Sequence, residues 1–161
     1  MTSQDEPQVT TKTLKGSCLC GCVEYEVDGP LRDVVSCYCD QCRKSSGNFV
    51  SATAASESRL NILRGDGLAW YGNKLAKRGF CRECGSSLFW LPRPGDGLIR
   101  IMAGTLQRDT GLRVAAHIFV NQRSDFQELV GDAPRLINGN HPVGMSDAGP
   151  SEDWVANYGC S

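Results

Sequence analysis

The chain is 161 residues long, 40% hydrophobic and 22% charged, with a formal net charge of −1. These values indicate one soluble globular domain that is long enough to bury a core. They exclude a membrane-spanning protein, because the apolar runs are far shorter than the ~20 residues that cross a bilayer. The basic residues are scattered, which disfavours nucleic acid as a partner. Residues 1–12 are polar and lack the pattern of a secretory signal, so we expect a cytoplasmic protein.

The sequence predicts a mainly β fold of compact antiparallel sheets made from short strands, with few short helices. Glycine and proline interrupt the apolar stretches often, and long runs with the helical period are nearly absent. Residues 1–11 are predicted to be a disordered lead-in, 12–137 the folded domain and 138–161 a loosely packed tail. Short strands are predicted from Thr13 onwards, the first of them carrying Cys18 and Cys20. The others are Val23–Val27, Val34–Ser36, Phe49–Ala54, Leu60–Leu63, Leu68–Tyr71, Lys74–Phe80, Ser87–Trp90, Leu98–Ala103 and Ala115–Val120.

Two short helical segments are predicted between these strands. A single turn over Gln41–Lys44 is expected to begin at a cap formed by Asp40 and to end at Gly47. A second short helix is predicted over Asp125–Val130. Neither segment is long enough to form a helical layer, so we expect the sheets to supply the core.

The nine cysteines are the unusual feature of the composition. In a chain of this length without a secretory signal, closely spaced cysteines indicate metal ligands rather than disulfides. Free buried cysteines, the simplest alternative, do not explain so many thiols at ligand spacing. Eight of the nine fall into three groups: Cys18, Cys20 and Cys22; Cys37, Cys39 and Cys42; and Cys81 and Cys84.

The first and last groups together predict one structural zinc site. Cys18 and Cys20 occupy alternate positions of a predicted strand and therefore share a face. Cys81 and Cys84 form a C-x-x-C-G knuckle, and two such pairs complete the tetrahedral shell of structural zinc. Cys22 continues the same strand face. We interpret it as a small buried residue, with a ligand role as the alternative.

The central group predicts a second site with a vacant position. Cys37, Cys39 and Cys42 provide three protein ligands, and three ligands plus an open position are typical of catalytic zinc. A thiol that enters the open position would be held as a thiolate, which is a nucleophile towards a small aldehyde. Arg43 and Arg78 are the candidates for holding a substrate carboxylate.

The remaining cysteine and the two histidines are assigned no chemistry. His117 lies in an apolar strand and is interpreted as a hydrogen-bonded core histidine rather than a fourth ligand or a proton donor. His141 and Cys160 lie in the predicted tail, as an exposed histidine and an incidental free thiol. Iron or another thiophilic metal in place of zinc fits the same cysteine ligands.

Three motifs in a fixed order resemble those of a known family. They are Gly16–Gly21 (GSCLCG), Cys37–Gly47 (CYCDQCRKSSG) and Arg78–Leu88 (RGFCRECGSSL), followed by weaker echoes at Ala103–Leu106 and His117–Phe119. Together they resemble the glutathione-dependent formaldehyde-activating enzyme (GFA) family, which is also described with centromere protein V. The resemblance covers residues 12–136.

The resemblance implies a GFA-like zinc domain with an Mss4-like fold and two zinc ions per chain. The implied activity is the condensation of formaldehyde with glutathione to S-(hydroxymethyl)glutathione, which is classed as a carbon–sulfur lyase reaction. Tyr38 stands where the family often has histidine, and Asp125-Phe126 where it tends to have a Trp-Tyr type step, so the substrate stays open. The implied ligands are Cys18, Cys20, Cys81 and Cys84 for the structural ion, and Cys37, Cys39 and Cys42 for the second.

Two alternatives compete with the enzyme hypothesis. The first is a non-catalytic, zinc-stabilised binding module, like the Rab-associated chaperone-type proteins of similar architecture. The open three-cysteine group argues against it, because a purely structural module needs no vacant position. The second is a methionine sulfoxide reductase, which needs a nucleophilic cysteine late in the chain. The stretch Leu98–Val120 contains none.

Overall fold

The structure, a computed structural model, describes residues 12–139, which form ten β-strands, one α-helix and three short 3-10 helices. The predicted mainly β fold with few short helices is confirmed. The strands are β1 Thr13–Ser17, β2 Glu24–Asp28, β3 Arg32–Cys37, β4 Val50–Ser56, β5 Leu60–Arg64, β6 Leu68–Gly72, β7 Ala76–Cys81, β8 Ser87–Pro92, β9 Leu98–Met102 and β10 Val114–Ile118. The helices are α1 Asp40–Ser46 and the 3-10 turns Glu57–Arg59, Ala103–Thr105 and Val120–Gln122.

The strands are arranged in two sheets. The smaller sheet has the order β1-β2-β5, and the larger has the order β10-β3-β4-β9-β8-β7-β6. Every neighbouring pair is antiparallel except β10 and β3, which run parallel. The exception arises because residues 103–113 carry the chain back across β4 and β3 before β10 begins. The prediction of antiparallel sheets therefore holds for all pairs but this one.

The core lies between the inner faces of the two sheets. Leu14 of β1 and Tyr25 and Val27 of β2 occupy alternate, buried positions, as expected of strands with one solvated face. The Tyr25 ring meets Phe89 of β8 edge to face, with 5.0 Å between ring centroids. The Tyr25 hydroxyl shares a 2.6 Å hydrogen bond with the hydroxyl of Thr105, so its one polar atom is satisfied inside the core.

The helix after the central cysteines begins differently from the prediction. Asp40 is the first helical residue rather than the cap, and Cys39 precedes it with an extended backbone. The Asp40 carboxylate instead accepts a 2.8 Å hydrogen bond from Arg43, one turn further on. Gly47 ends the helix as predicted, with a positive φ of 87° that glycine adopts without strain.

The helix predicted over Asp125–Val130 is wrong. The structure has a turn at residues 125–126 and irregular backbone after it. Beyond this segment the chain runs along the outer edge of β10. There the His117 N–H donates to the Pro134 carbonyl and the Leu136 N–H donates to the His117 carbonyl, both at 2.8 Å. These bonds keep the chain extended along the strand edge.

Residues 1–11 and 140–161 lie outside the described part of the chain. The predicted lead-in falls wholly in the first of these segments, and the predicted tail falls almost wholly in the second. Both stay predictions, as do the domain boundaries and the assignments of His141 and Cys160. Within residues 12–139, no helix has the length and hydropathy required to span a bilayer.

Candidate metal centres and the adjoining cavity

The first centre is a group of four thiols, which we call the four-thiol centre: Cys18, Cys20, Cys81 and Cys84. Their sulfurs all lie within 4.8 Å of one another. The Sγ–Sγ distance is 3.6 Å from Cys18 to Cys20 and 3.7 Å from Cys20 to Cys81. Zn–S bonds of ~2.3 Å in a tetrahedron place sulfurs about 3.8 Å apart, so this arrangement fits zinc. The four-thiol centre could therefore hold a metal ion.

A turn, rather than a strand, brings Cys18 and Cys20 together. β1 ends at Ser17, and the next residues fold back so that the Cys18 N–H donates to the Val23 carbonyl at 3.0 Å. The Val23 N–H in turn donates to the Cys18 sulfur at 3.2 Å. The prediction that these cysteines alternate along a strand is wrong, although their sulfurs do converge. A turn brings its ends together more closely than a strand, where side chains i and i+2 stand apart.

The second pair of this centre lies in the turn between β7 and β8. Gly85 has a φ of 77° and donates its N–H to the Cys81 carbonyl at 2.7 Å, which closes the knuckle. Ser86 links the two turns, because its hydroxyl accepts from the Leu19 N–H at 3.0 Å and contacts the Cys84 sulfur at 3.2 Å. The Ser86 side chain, and then its backbone, lower the pKa of Cys84 to about 5, so this sulfur is held as a thiolate.

The second centre, which we call the three-thiol centre, consists of Cys37, Cys39 and Cys42, whose sulfurs lie within 4.8 Å of one another. Cys37 ends β3, Cys39 caps α1 and Cys42 lies in its first turn, so one strand-to-helix junction positions all three. Hydrogen bonds from Cys37 and then Cys42 lower the pKa of Cys39 to about 3. The same contacts, Cys39 first, raise the pKa of Cys37 well above its usual value. Three thiols whose pKa values are coupled in this way could bind a metal cation, which would take the place of the shared protons.

A cavity of about 100 Å³ adjoins the three-thiol centre. All three of its cysteines line the cavity, and none of the cysteines of the four-thiol centre does. The larger sheet supplies most of the wall, and each of its seven strands contributes at least one residue. Most of that wall is apolar, with Phe80, Phe89, Trp90, Met102, Ile118 and Phe119 among its residues.

The two predicted substrate-binding arginines are placed differently. Arg78 of β7 lines the cavity and donates to the Gln41 side chain at 3.0 Å, across the gap between sheet and helix. Arg43 lies on α1, pairs with Asp40 at 2.8 Å and is not part of the cavity wall. Of the two, the structure therefore brings only Arg78 to the cavity.

Arg100 is a cavity residue that the sequence analysis missed. Its side chain is 4% exposed and lies 2.8 Å from the Asp96 carboxylate, with its guanidinium 5.3 Å from the centre of the Trp90 ring. Arg100 and Trp90 both line the cavity. The signal was present in the sequence, because Arg100 is the one charged residue within the apolar strand Leu98–Met102.

His117 and Tyr38 form a buried hydrogen-bonded pair next to the three-thiol centre. His117 is buried, and its Nδ1 shares a 3.0 Å hydrogen bond with the hydroxyl of Tyr38, which sits between Cys37 and Cys39. The Tyr38 ring stacks on Phe49 with 4.9 Å between centroids. Burial lowers the pKa of His117 and raises that of Tyr38, so both stay neutral near pH 7. His117 is a core residue, as predicted, and it does not line the cavity. Its hydrogen bonding is only partly satisfied, because the buried Nε2 has no hydrogen-bond partner within residues 12–139.

Cys22 belongs to neither centre within the described chain. It is half-buried and packs against the core beside the four-thiol centre. The interpretation of a small buried residue is therefore met only in part, because Cys22 packs on the core but is not fully buried. All eight cysteines of residues 12–139 are free of disulfides.

The fold and the two centres define a class of compact β proteins in which one cysteine centre joins two sheets and a second one faces a cavity. The chain belongs to the family described as glutathione-dependent formaldehyde-activating enzyme, which matches residues 13–122. The resemblance stated from the three motifs is thus confirmed. A crystal structure of a Rhodobacter sphaeroides protein, a structural-genomics target, is also similar. It shares 27% identity with a TM-score of 0.51, and the match covers 75% of this chain and 98% of that one.

Proposed function

We propose that the protein is a zinc-dependent carbon–sulfur lyase that joins glutathione, or another thiol, to formaldehyde or a similar small carbonyl compound. The observation that carries this proposal is the contrast between the two centres. The cavity opens onto Cys37, Cys39 and Cys42, whereas the four-thiol centre has no part in it. A site for chemistry needs room for a substrate beside the reacting groups, and the cavity gives the three-thiol centre that room.

The donor set supports zinc as the ion at both centres. Thiolates are preferred zinc ligands, and the sulfur spacing of the four-thiol centre fits a tetrahedron. At the three-thiol centre, a bound zinc ion would stabilise the thiolate form of an incoming thiol at neutral pH. The proposed ligands are those of the two centres, with Cys37, Cys39 and Cys42 at the catalytic position.

The proposed reaction balances without an oxidant or reductant. The thiol sulfur forms a bond to the carbonyl carbon, the C=O π bond opens, and its electron pair moves to oxygen. That oxygen takes up the proton that the thiol released. Arg78, held by Gln41 at 3.0 Å, is positioned on the cavity wall to pair with a carboxylate of the thiol substrate.

The free thiols also favour a reducing compartment. Eight cysteines without a disulfide in residues 12–139 suit the cytoplasm, where glutathione is abundant and thiols stay reduced. We propose that the protein acts there on a soluble small-molecule thiol.

Cobalt substitution tests the proposal. Cobalt(II) bound to thiolates absorbs visible light, and its spectrum changes when a ligand is added. We expect two cobalt ions per chain, with glutathione perturbing the absorption of one of them. Cys39→Ser should abolish the glutathione-sensitive band and the condensation activity together, while Cys22→Ser, the matched control outside both centres, should keep both. A wild-type spectrum that is indifferent to glutathione would contradict the proposal and favour the binding-module hypothesis.

A further inference from the structure

Cys22 is the one cysteine of residues 12–139 that belongs to neither thiol centre, yet it lies close to the four-thiol centre. Its N–H donates to the Cys20 sulfur, and its thiol contacts the same sulfur. A Cβ atom on Gly67 would lie 2.9 Å from the Cys22 Cβ and 2.9 Å from the Cys81 sulfur, so the missing side chain of Gly67 lets Cys22 approach this closely. A fifth thiol therefore lies beside four that are arranged for a metal ion.

The backbone holds Cys22 in this position. Gly21, the residue between Cys20 and Cys22, has a φ of 79°, and its carbonyl accepts a 3.2 Å hydrogen bond from the Arg64 side chain. The Gly67 N–H donates to the Cys22 carbonyl at 3.2 Å. The turn that carries the two cysteines is thus bonded to the chain on both sides of Cys22.

The cysteines of the four-thiol centre differ in their access to solvent. Cys18 and Cys81 are buried, and Cys84 is half-buried with its sulfur 3.2 Å from the Ser86 hydroxyl. Cys20 is exposed. Thiol oxidation follows access to the oxidant and thiolate character, and a cysteine that binds a metal ion does so as a thiolate. Cys20 is therefore the cysteine of this centre that a dissolved peroxide reaches first.

We propose that Cys20 and Cys22 form a redox modification site, at which hydrogen peroxide oxidises Cys20 and Cys22 converts the product to a disulfide. The Cys20 thiolate attacks one peroxide oxygen, the O–O bond breaks and hydroxide leaves, which gives Cys20 sulfenic acid. The Cys22 sulfur then attacks the Cys20 sulfur, the S–O bond breaks, and the departing hydroxide takes the Cys22 proton. The two sulfurs together lose two electrons. One peroxide becomes two water molecules, since the first hydroxide takes a proton from solvent.

Cys22 is a better partner for the oxidised Cys20 than the two sulfurs closest to it. The sulfurs of Cys18 and Cys81 lie 3.6 Å and 3.7 Å from that of Cys20, but both residues are buried and belong to the metal-binding group. A sulfur bound to a metal ion must leave the ion before it attacks, and the Cys22 sulfur has no such bond to break. The resulting disulfide removes one thiol from the centre and leaves three: Cys18, Cys81 and Cys84.

This site is independent of the proposed function, because neither Cys20 nor Cys22 lines the cavity. Its consequence concerns the fold. The four-thiol centre joins the turn after β1 to the turn after β7, so the loss of one of its thiols weakens the connection between the two sheets.

The first experiment maps the disulfide in the full zinc-loaded wild type after treatment with hydrogen peroxide. Free thiols are alkylated, disulfides are then reduced and labelled with a second reagent, and the peptides are analysed by mass spectrometry. We expect the second label on Cys20 and Cys22 and the first label on Cys18. The second label on Cys18 or Cys81, or only on cysteines of the three-thiol centre, overturns the inference. A protein that forms no disulfide does so too.

The second experiment traps sulfenic acid with dimedone. Cys22→Ser lacks the thiol that removes the sulfenic acid, so labelling of Cys20 should rise about tenfold over the wild type. Cys22→Ala takes its place if the serine variant does not fold. Cys160→Ser is the matched control, because Cys160 is the other cysteine of the sequence outside the seven proposed ligands, and it should be labelled like the wild type. Equal labelling of the wild type and the Cys22 variant, or increased labelling of Cys160→Ser, overturns the inference.

The third experiment measures zinc content, which does not depend on activity. The peroxide-treated wild type should lose one of two zinc ions to a chelator that leaves both ions in the reduced protein. Dithiothreitol with added zinc should restore the second ion, because it reduces the disulfide. A protein that carries the disulfide between Cys20 and Cys22 and still retains both ions overturns the inference that oxidation opens the four-thiol centre.

Discussion

The two thiol centres differ in how far apart their members lie along the chain. The four-thiol centre joins the turn after β1 to the turn after β7, and Cys20 and Cys81 are separated by 61 residues. The three-thiol centre comes from a single strand-to-helix junction, between the end of β3 and the first turn of α1. The first centre therefore connects the smaller sheet to the larger one. The three-thiol centre joins no distant segments, because its three cysteines are already close together along the backbone.

From this difference we propose a structural role for the four-thiol centre and a catalytic role for the three-thiol centre. An ion bound only by the folded arrangement of distant ligands contributes its binding free energy to folding. An ion bound by local ligands contributes less to the fold, and a vacant position on it is free for substrate. The proposed roles therefore depend on two observations, the separation of the ligands along the sequence and the cavity beside the three-thiol centre.

The largest expected effect comes from removing one thiol of each centre. Cys81→Ser should cost several kcal/mol of the free energy of unfolding, a large part of the ~10–16 kcal/mol that structural zinc supplies in small metal-dependent domains. Cys39→Ser should lose one of two ions and keep a folded protein. Metal content by mass spectrometry and urea unfolding followed by circular dichroism measure both.

Equal destabilisation by Cys81→Ser and Cys39→Ser would break the distinction between the centres. Cys22→Ser serves as the control, since Cys22 packs beside the four-thiol centre without joining it. Its metal content should remain two ions per chain.

A second prediction concerns the packing of the smaller sheet close to the four-thiol centre. Gly16 lies opposite Tyr25 in the β1–β2 pair, and the Tyr25 ring contacts the position that a Cβ would occupy. Gly16→Ala should therefore lower the free energy of unfolding by about 1–3 kcal/mol through overpacking. Gly104→Ala is the control, because nothing lies within 4 Å of its Cβ position. Urea denaturation compares the two, and equal stabilities would show that the sheet shifts freely.

A third prediction tests how firmly the three-thiol centre is held. Tyr38→Phe removes the hydroxyl that bonds His117 Nδ1 at 3.0 Å and should cost about 1 kcal/mol of the free energy of unfolding. Tyr71→Phe, at a residue that is 45% exposed, should change stability far less. The cobalt spectrum of the three-thiol centre should broaden in Tyr38→Phe only. If neither the spectrum nor the stability changes, the hydrogen bond between Tyr38 and His117 does not help to position the three-thiol centre.

The smallest effect is expected from the pH dependence of stability at the ion pair between Asp96 and Arg100. Burial alone would raise the pKa of Asp96, but hydrogen bonds from Arg100 and the Leu98 N–H outweigh it and lower that pKa. A carboxyl with a lowered folded-state pKa adds stability above its ordinary value of 3.8, and that stability is lost as the pH falls through the folded-state pKa. The contribution should stay below about 1 kcal/mol, because Asp96 is 39% exposed.

Asp96→Asn provides the comparison for this pH dependence. The variant should show a shallower loss of stability between pH 5 and about pH 3 in acid unfolding monitored by tryptophan fluorescence. Identical acid-unfolding curves for wild type and Asp96→Asn would show that the pair with Arg100 does not contribute.

Local patterns explain most of what the sequence predicted about the fold. The alternation in Val23–Val27 and the turn signals around it were enough to place strand β2, since side chains on a half-buried strand must alternate. Gly47 was correctly placed as the end of α1. Helices commonly end at a residue with a positive φ, and glycine adopts that conformation most easily. The errors arose where distant contacts overrule a local preference. Residues 125–130 have a helical pattern, yet the chain that follows them is bonded along the edge of β10.

The sequence by itself determined the family and the grouping of seven thiols into two pairs and one triplet, because the ligand spacing within each of these groups is a local property. That the two pairs meet in one centre is a result of the tertiary structure. Only the tertiary structure decided which centre faces a cavity, and that Trp90 and Arg100 rather than Arg43 form its wall. The physical reason is that the wall is assembled from all seven strands of one sheet, whose order depends on long-range pairing. No local sequence pattern specifies the order of the strands in the larger sheet.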